Sequence, residues 1–449
     1  MDFVTAIRAT ATGTAVRRIA VVAAAVLGLS ACAATEFQAP QLPLDEAAYA
    51  SLFPYFAEYC AVSELRKNQG TSVDIVGGGP GGHSLFYLNG VCQLREAGYP
   101  ELALCDGPVD RPVDRPFGAL AGRGVGLSVN EHFKNANWIA TEGRGFFYGG
   151  DLAPGEGVTR ASYDRTQVTA KAMGILDGVV FHPALLAARP AGMTERDYMY
   201  EISIGTDYAI GFGRDRYCAR VPLDRIRMAS VVRYLNDLNL PYRSGQKPFI
   251  WNVLRDNCAY LAHNALAAAG LWEIWRTDRP LLIAAFDFPV PKNEFVNLMR
   301  RTNEMPIAEA NALYADREDR SILLHQDWIP TQPGALAQAR PAIQPNDLYD
   351  THVRLIFFDE RIFGSYQSWF DRIFREPRYT DLTANLGYFS TLYTAILANR
   401  PARESADPRG AFGQRYDEII AREKRNLDAA QAKLSGAKLS GAKSSGQNG

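Results

Sequence analysis

Two residues far apart in the chain have the types and local settings of a thiol nucleophile and its base. Cys258 stands in Asp256-Asn257-Cys258-Ala259-Tyr260-Leu261-Ala262-His263. Asp256 or Asn257 can cap a helix there, and Gly270 can end it. A thiol in a first helical turn lies at the positive end of the helix dipole, beside unpaired backbone N–H groups. Both favour the thiolate, which is the nucleophilic form. Upstream, Gly82-His83-Ser84-Leu85-Phe86-Tyr87-Leu88 sets a histidine at the head of an apolar strand. Acyl transfer needs a thiolate, a base to make it and donors for the oxyanion. Cys258 is the candidate nucleophile and His83 the candidate base. Asn257 and Gly82 flank them as candidate substrate or oxyanion contacts. His263, five residues beyond Cys258, projects away from it on a helix and is a poor base.

These two segments resemble the paired motifs of the circularly permuted branch of the NlpC-type papain-like superfamily, a branch that includes relatives of lecithin retinol acyltransferase. There the histidine strand precedes the cysteine helix, as His83 precedes Cys258, and asparagine typically precedes the cysteine, as Asn257 does here. The resemblance covers about residues 70 to 275. It implies an α+β, permuted papain-like fold and amide, thioester or ester chemistry through a thiol. The family usually adds a polar group that orients the histidine, often a second histidine shortly after the first. This chain has none in that place, and the next histidine is His132. Asn89, His132 and Asn137 are the candidates for the role. The competing account makes Cys258 a buried structural cysteine and the protein a non-catalytic binding protein on the same fold.

Other motifs carry weaker chemistry. Gly77-Gly78-Gly79-Pro80-Gly81-Gly82 follows an apolar run and imitates a dinucleotide fingerprint, which would make the chain a flavin or nicotinamide oxidoreductase. The aromatic segment after the glycines suits a strand better than a helix, and Asp106 lies beyond the usual spacing of about twenty residues. The reading therefore assigns no cofactor. No His/Cys spacing fits a zinc cage. Asp316-Arg317-Glu318-Asp319-Arg320 reads as a solvated helix face. Gly213-Arg214-Asp215-Arg216-Tyr217 reads as a hairpin turn whose Arg214 or Arg216 could meet a substrate carboxylate. Trp251, Trp272 and Trp275 read as core packing around the cysteine helix.

The elements that must position these groups follow from periodicity. Residues 48 to 70 and 162 to 189 read as helices, and Met199 to Ile204 as a strand. Strands are expected around 73–76, 85–91, 125–129 and 138–141, and Asp224 to Leu238 is an amphipathic helix. Residues 48–288 form the papain-like domain, 289–404 a mainly helical extension packed on it, and 405–449 a polar helix with a disordered tail.

The chain begins with Arg17 and Arg18, an apolar run from Ile19 to Leu29, and Leu29-Ser30-Ala31-Cys32. A basic region, a short apolar core and small residues at the cut make a secretory signal, too short to span a membrane. Leu-Ser-Ala-Cys resembles the bacterial lipoprotein signal, which assigns residues 1–31 to the signal, Cys32 to lipidation and 32–47 to a tether. The implied location is the cell envelope, facing the periplasm, with Ala33 favouring the outer membrane over the inner. The implied partners are that membrane and a peptidoglycan peptide or lipid acyl substrate. A formal net charge of −1 gives no basis for nucleic-acid binding. Cys60, Cys92, Cys105 and Cys218 are an even set in an oxidising compartment, open to three pairings.

Overall fold

The computed structural model describes residues 44–71, 73, 82–94, 101–108, 120, 122–253, 255–276, 290–352, 365–399 and 410–445. Cys32, the residues read as its signal and Gly77 to Gly81 lie outside them. The architecture is α+β. Its strands are β1 (Phe56–Val62), β2 (His83–Asn89), β3 (Val91–Leu94), β4 (Glu101–Leu104), β5 (Gly124–Ser128), β6 (Ile139–Glu142), β7 (Arg216–Pro222) and β8 (Leu336–Arg340). Six of them form one antiparallel sheet in the order β6-β5-β2-β1-β7-β8, and β3 pairs with β4 alone.

Register fixes what each face carries. His83 pairs with Val62, which pairs with Arg216; Tyr87 pairs with Glu58, which pairs with Arg220. Side chains alternate across a strand, so the sheet has two buried faces of different character. Ala57, Tyr59, Phe86, Leu88, Leu127 and Val221 pack under the helices Arg225–Arg243, Cys258–Ala268 and Pro291–Glu304. Phe56, Val62, Leu85, Tyr87 and Leu336 pack on the other side, against Tyr49, Phe147, Phe389 and Tyr416. Strand β8 comes from beyond residue 289, so the boundary expected at 288/289 falls within one sheet.

The helix expected over 48 to 70 is two elements. Glu46–Leu52 is helical, Pro54 interrupts, and β1 begins at Phe56. Burial on both faces removed the alternation that would have marked the strand. Met199 to Ile204, expected as a strand, belongs mostly to the helix Glu195–Ser203, capped by Thr194 through its bond from the Asp197 N–H. The helix expected from 162 to 189 stops at Met173, where Gly174 adopts φ 65°. Ala411–Ser445 is one helix and carries through Lys433 and the repeats beyond it, where composition predicts disorder. Among the described residues, no helix is long and apolar enough to cross a membrane.

Two disulfides tie the strands among the described residues. Cys60–Cys218 links paired residues of β1 and β7, and Cys92 of β3 bonds to Cys105, which follows the last residue of β4. Lys292, 3% exposed, holds its ammonium 3.9 Å from the Phe370 ring centroid. Burial pushes its pKa down to about 7, and Asp371 only partly offsets this. The unfolded chain therefore binds more protons than the fold between pH 7 and about 10.4, and stability rises with pH across that window. Lys292→Met is expected to stabilise the protein by a few kcal/mol at pH 6, because each tenfold loss of proton affinity on folding costs about 1.4 kcal/mol. Urea midpoints at pH 6 and 9.5 check this; an advantage that fails to shrink at the higher pH rules the cause out.

Candidate active site

Cys258 is the first residue of its helix and the free thiol among the described cysteines. Asn257 caps that helix. Its Oδ1 accepts from the N–H groups of Ala259 (3.0 Å) and Tyr260 (3.2 Å), and its Nδ2 donates to the Val253 carbonyl at 2.8 Å. The amide is thereby committed to the turn, which removes it as an oxyanion donor. Leu261, Ala262, Ala265 and Leu266 share a core with Phe86 and Leu88, so this packing sets the thiol against the head of β2.

There the thiol meets Ser84. Burial pushes the Cys258 pKa up; the Ser84 hydroxyl and backbone N–H, and the N–H groups of Ala259 and Cys258, pull it back only in part. The low thiol pKa expected from the helix start is thus reversed, because desolvation of a thiolate outweighs the helix-terminal donors. His83 is the neighbouring residue. Burial pushes its pKa down to about 3, with Arg214 and His132 acting in the same direction. At neutral pH the pair is a thiol and a neutral imidazole. Consecutive strand residues leave opposite faces of a sheet, and no hydrogen bond joins Cys258 to His83. The His83 Nε2 is buried without a partner.

His132 is 3% exposed, its ring centroid 5.8 Å from that of Phe181, and its Nε2 also lacks a partner. Burial, then His182, pushes its pKa down to about 4. A charge on His132 would lower the His83 pKa further, which places it near His83. Asn89 does not qualify. It lies at the other end of β2, about 20 Å away at 3.3 Å per residue, and its Nδ2 holds the carbonyls of Pro54 (2.7 Å) and Leu120 (3.1 Å). The Asn137 backbone N–H donates to Asn239 Oδ1 at 2.7 Å, and its own Oδ1 is buried without a partner. Gly82 enters β2 with φ 72°, a conformation glycine adopts without strain.

Sequence reasoning missed Ser84 and Asp207 and placed Arg214 elsewhere. Ser84 carried no signal beyond adjacency to His83. Arg214, expected in a hairpin turn where it could meet a substrate carboxylate, is 1% exposed and donates to the carbonyls of Gly205 (2.6 Å) and Ser63 (2.5 Å). Asp207 accepts from Ser128 Oγ at 2.5 Å and Asn130 Nδ2 at 3.3 Å, and burial pushes its pKa up to about 6.

Other candidates resolve into structure. His263 Nδ1 lies 2.8 Å from Glu294, its Nε2 3.1 Å from the Glu273 carbonyl, and its ring stacks on Trp272 and Trp275. Asp319, expected on a solvated face, is 8% exposed and pairs with Arg301 at 3.0 Å. Gly82 leads into an antiparallel strand, not the helix N-terminus that a dinucleotide phosphate requires. Glu58, Cys60 and Cys218 cluster closely enough to hold a metal, but both sulfurs are in the disulfide.

Comparison with protein-family models finds no match, and none of the curated proteins or solved structures compared is significantly similar to the chain.

Proposed function

We propose that this chain is a lipid-anchored envelope protein whose Cys258 performs acyl transfer or amide hydrolysis on a permuted papain-like (NlpC-type) domain. One observation carries the reading: the free thiol among the described cysteines, at a helix start, meets Ser84 at a strand head beside His83, whose buried Nε2 has no partner. Unsatisfied buried groups in a native fold ask for a cause, and a reacting substrate supplies one. In the step we assign, Cys258 Sγ attacks a carbonyl carbon as its proton passes to His83 through a bridging water or substrate atom, since no direct hydrogen bond joins the two. The tetrahedral intermediate collapses, the leaving amine or alkoxide takes that proton, and an S-acyl enzyme remains. Water or an acceptor nucleophile then releases the acyl group. Lipidation at Cys32 would hold the domain at the periplasmic side of the envelope, at the outer membrane, within reach of peptidoglycan stem peptides and lipid acyl groups.

The raised thiol pKa and the absent Cys258–His83 hydrogen bond favour a second reading, a binding protein with an inert cysteine. The full chain in neutral detergent, incubated with p-nitrophenyl butyrate and followed by peptide mass, separates the two. The expected result is one butyryl group on the Cys258 peptide, absent from Cys258→Ala of unchanged circular dichroism. An unmodified wild type, or an equal adduct in Cys258→Ala, sinks the catalytic reading.

A further inference from the structure

The opposite face of the sheet holds a cavity of about 650 Å³, to which Cys258 does not contribute. Arg144, Arg216 and Arg340 line it with Glu46 and Glu58, and Arg220 lies fully buried beside them. Four guanidiniums thus meet two carboxylates, an excess of two positive charges.

The carboxylates are already committed. Glu58 accepts from Arg144 Nη2 at 2.9 Å, Arg220 Nη2 at 2.7 Å and the Tyr148 hydroxyl at 2.6 Å. Glu46 takes Arg220 Nη1 at 2.7 Å and lies 3.5 Å from Arg340. Arg216 is left over. It lies over the Tyr148 ring at 5.0 Å and has no carboxylate within ion-pair distance among the described residues. Asp215, next in the chain, accepts from the Ala342 N–H at 2.8 Å. Burial, with Arg144 and Arg340 nearby, pushes the Arg216 pKa down to about 10.

Three buried donors of this cluster have no partner: Arg216 Nε, Arg144 Nε and Gln338 Nε2. The Gln338 oxygen already accepts from Arg220 at 3.2 Å, so its NH₂ remains for a ligand. Asn89, which lines the same cavity, contributes an unpartnered acceptor, Oδ1. Convergent donors with surplus positive charge match an oxyanion, and guanidinium forks match phosphate geometry. The acceptor matches a hydroxyl, and the volume suits a small organic molecule.

We propose that this cavity binds a polyol phosphate ester, its phosphate on Arg216, Arg144 and Gln338 and a hydroxyl on Asn89. The ester is either a soluble glycerol- or sugar-phosphate or the glycerophosphate headgroup of a lipid. The site stands whether or not Cys258 is catalytic.

Calorimetric titration of the full chain in neutral detergent tests it, with glycerol 3-phosphate, inorganic phosphate, glycerol and dihexanoyl phosphatidylglycerol as probes. Glycerol 3-phosphate is expected to bind and glycerol not to. Arg216→Gln should weaken binding roughly 10- to 100-fold, the equivalent of one charge-assisted hydrogen bond. The more exposed Arg340→Gln should weaken it less, and Cys258→Ala not at all. If Arg216→Gln does not fold, Arg340→Gln and the salt dependence decide. Tighter binding of the lipid than of glycerol 3-phosphate assigns the lipid source, and the reverse order the soluble one. No binding of any phosphate probe at tens of millimolar overturns the proposal, as does binding indifferent to the arginine variants and to salt.

Discussion

His83→Ala is expected to slow acylation of Cys258 by about 10²- to 10⁴-fold, the usual range for losing a positioned base. The wild-type rate should meanwhile hold its value from pH 7 down to about pH 5. Both follow from the resting charge state. Burial keeps the Cys258 proton in place and drives the imidazole pKa to about 3, so no thiolate–imidazolium pair is stored. The proton must move during attack, which makes the rate depend on His83 directly. The active form of a base is its neutral form, and His83 keeps it until the pH approaches 3. An unperturbed histidine would instead show its limb near pH 6.5. Alkylation by iodoacetamide without substrate reports the thiol alone, and its rate should climb past pH 8.5. His132→Gln, which alters a neighbour's charge and not the proton acceptor, should have the smaller effect on acylation. Rates that are equal in wild type and His83→Ala would remove His83 from the chemistry. An acid limb near pH 6.5 would show that substrate or solvent reaches the imidazole more freely than its burial implies.

The Cys258 helix and the His83 strand were legible because their signals are local. Asn257 caps the one, and the other opens with glycine followed by an apolar run. What the sequence could not carry was the relation between faces. His83 and Ser84 are one residue apart and look equally placed for Cys258, yet the register decides which meets the thiol. Arg214 and Arg216 share a polar, glycine-flanked turn that reads as surface. Their burial comes from Tyr349 and Tyr148, contributed by distant segments. The same holds for β1, whose seven residues are all buried. Its Glu58 breaks any apolar pattern and makes sense only with Arg144 and Arg220 beside it. The α+β class was readable from the mixture of periods, whereas β8 was hidden in a proline-punctuated stretch. It completes the sheet only because β7 offers an open edge.

Glu58→Gln should cost about 3–5 kcal/mol of folding stability, the range for removing one partner of a buried ion pair. Glu58 is fully buried on β1 and accepts from Arg144, Arg220 and Tyr148 at once. Burial alone would push its pKa up, but the two guanidiniums outweigh that and hold it below the usual carboxylate range. The sign for pH follows. A depressed folded pKa contributes stability that is present above the unfolded value of about 4.3 and fades as pH falls below it. Wild type should therefore lose urea resistance between pH 5 and 3, and Glu58→Gln should lose less over that interval. The variant should still fold at neutral pH, since the Cys60–Cys218 disulfide closes a loop of 158 residues between the same two strands. Loop-closure entropy assigns such a link up to about 5 kcal/mol. The glutamine also leaves Glu46 as the one carboxylate facing the four arginines of the phosphate cavity, which raises its positive excess from two charges to three. Stability and glycerol 3-phosphate affinity should then move in opposite directions, the fold weaker and the ligand tighter. A Glu58→Gln protein within 1 kcal/mol of wild type would mean that water reaches the network, and a parallel fall in both quantities would mean that Glu58 shapes the cavity and not only its charge.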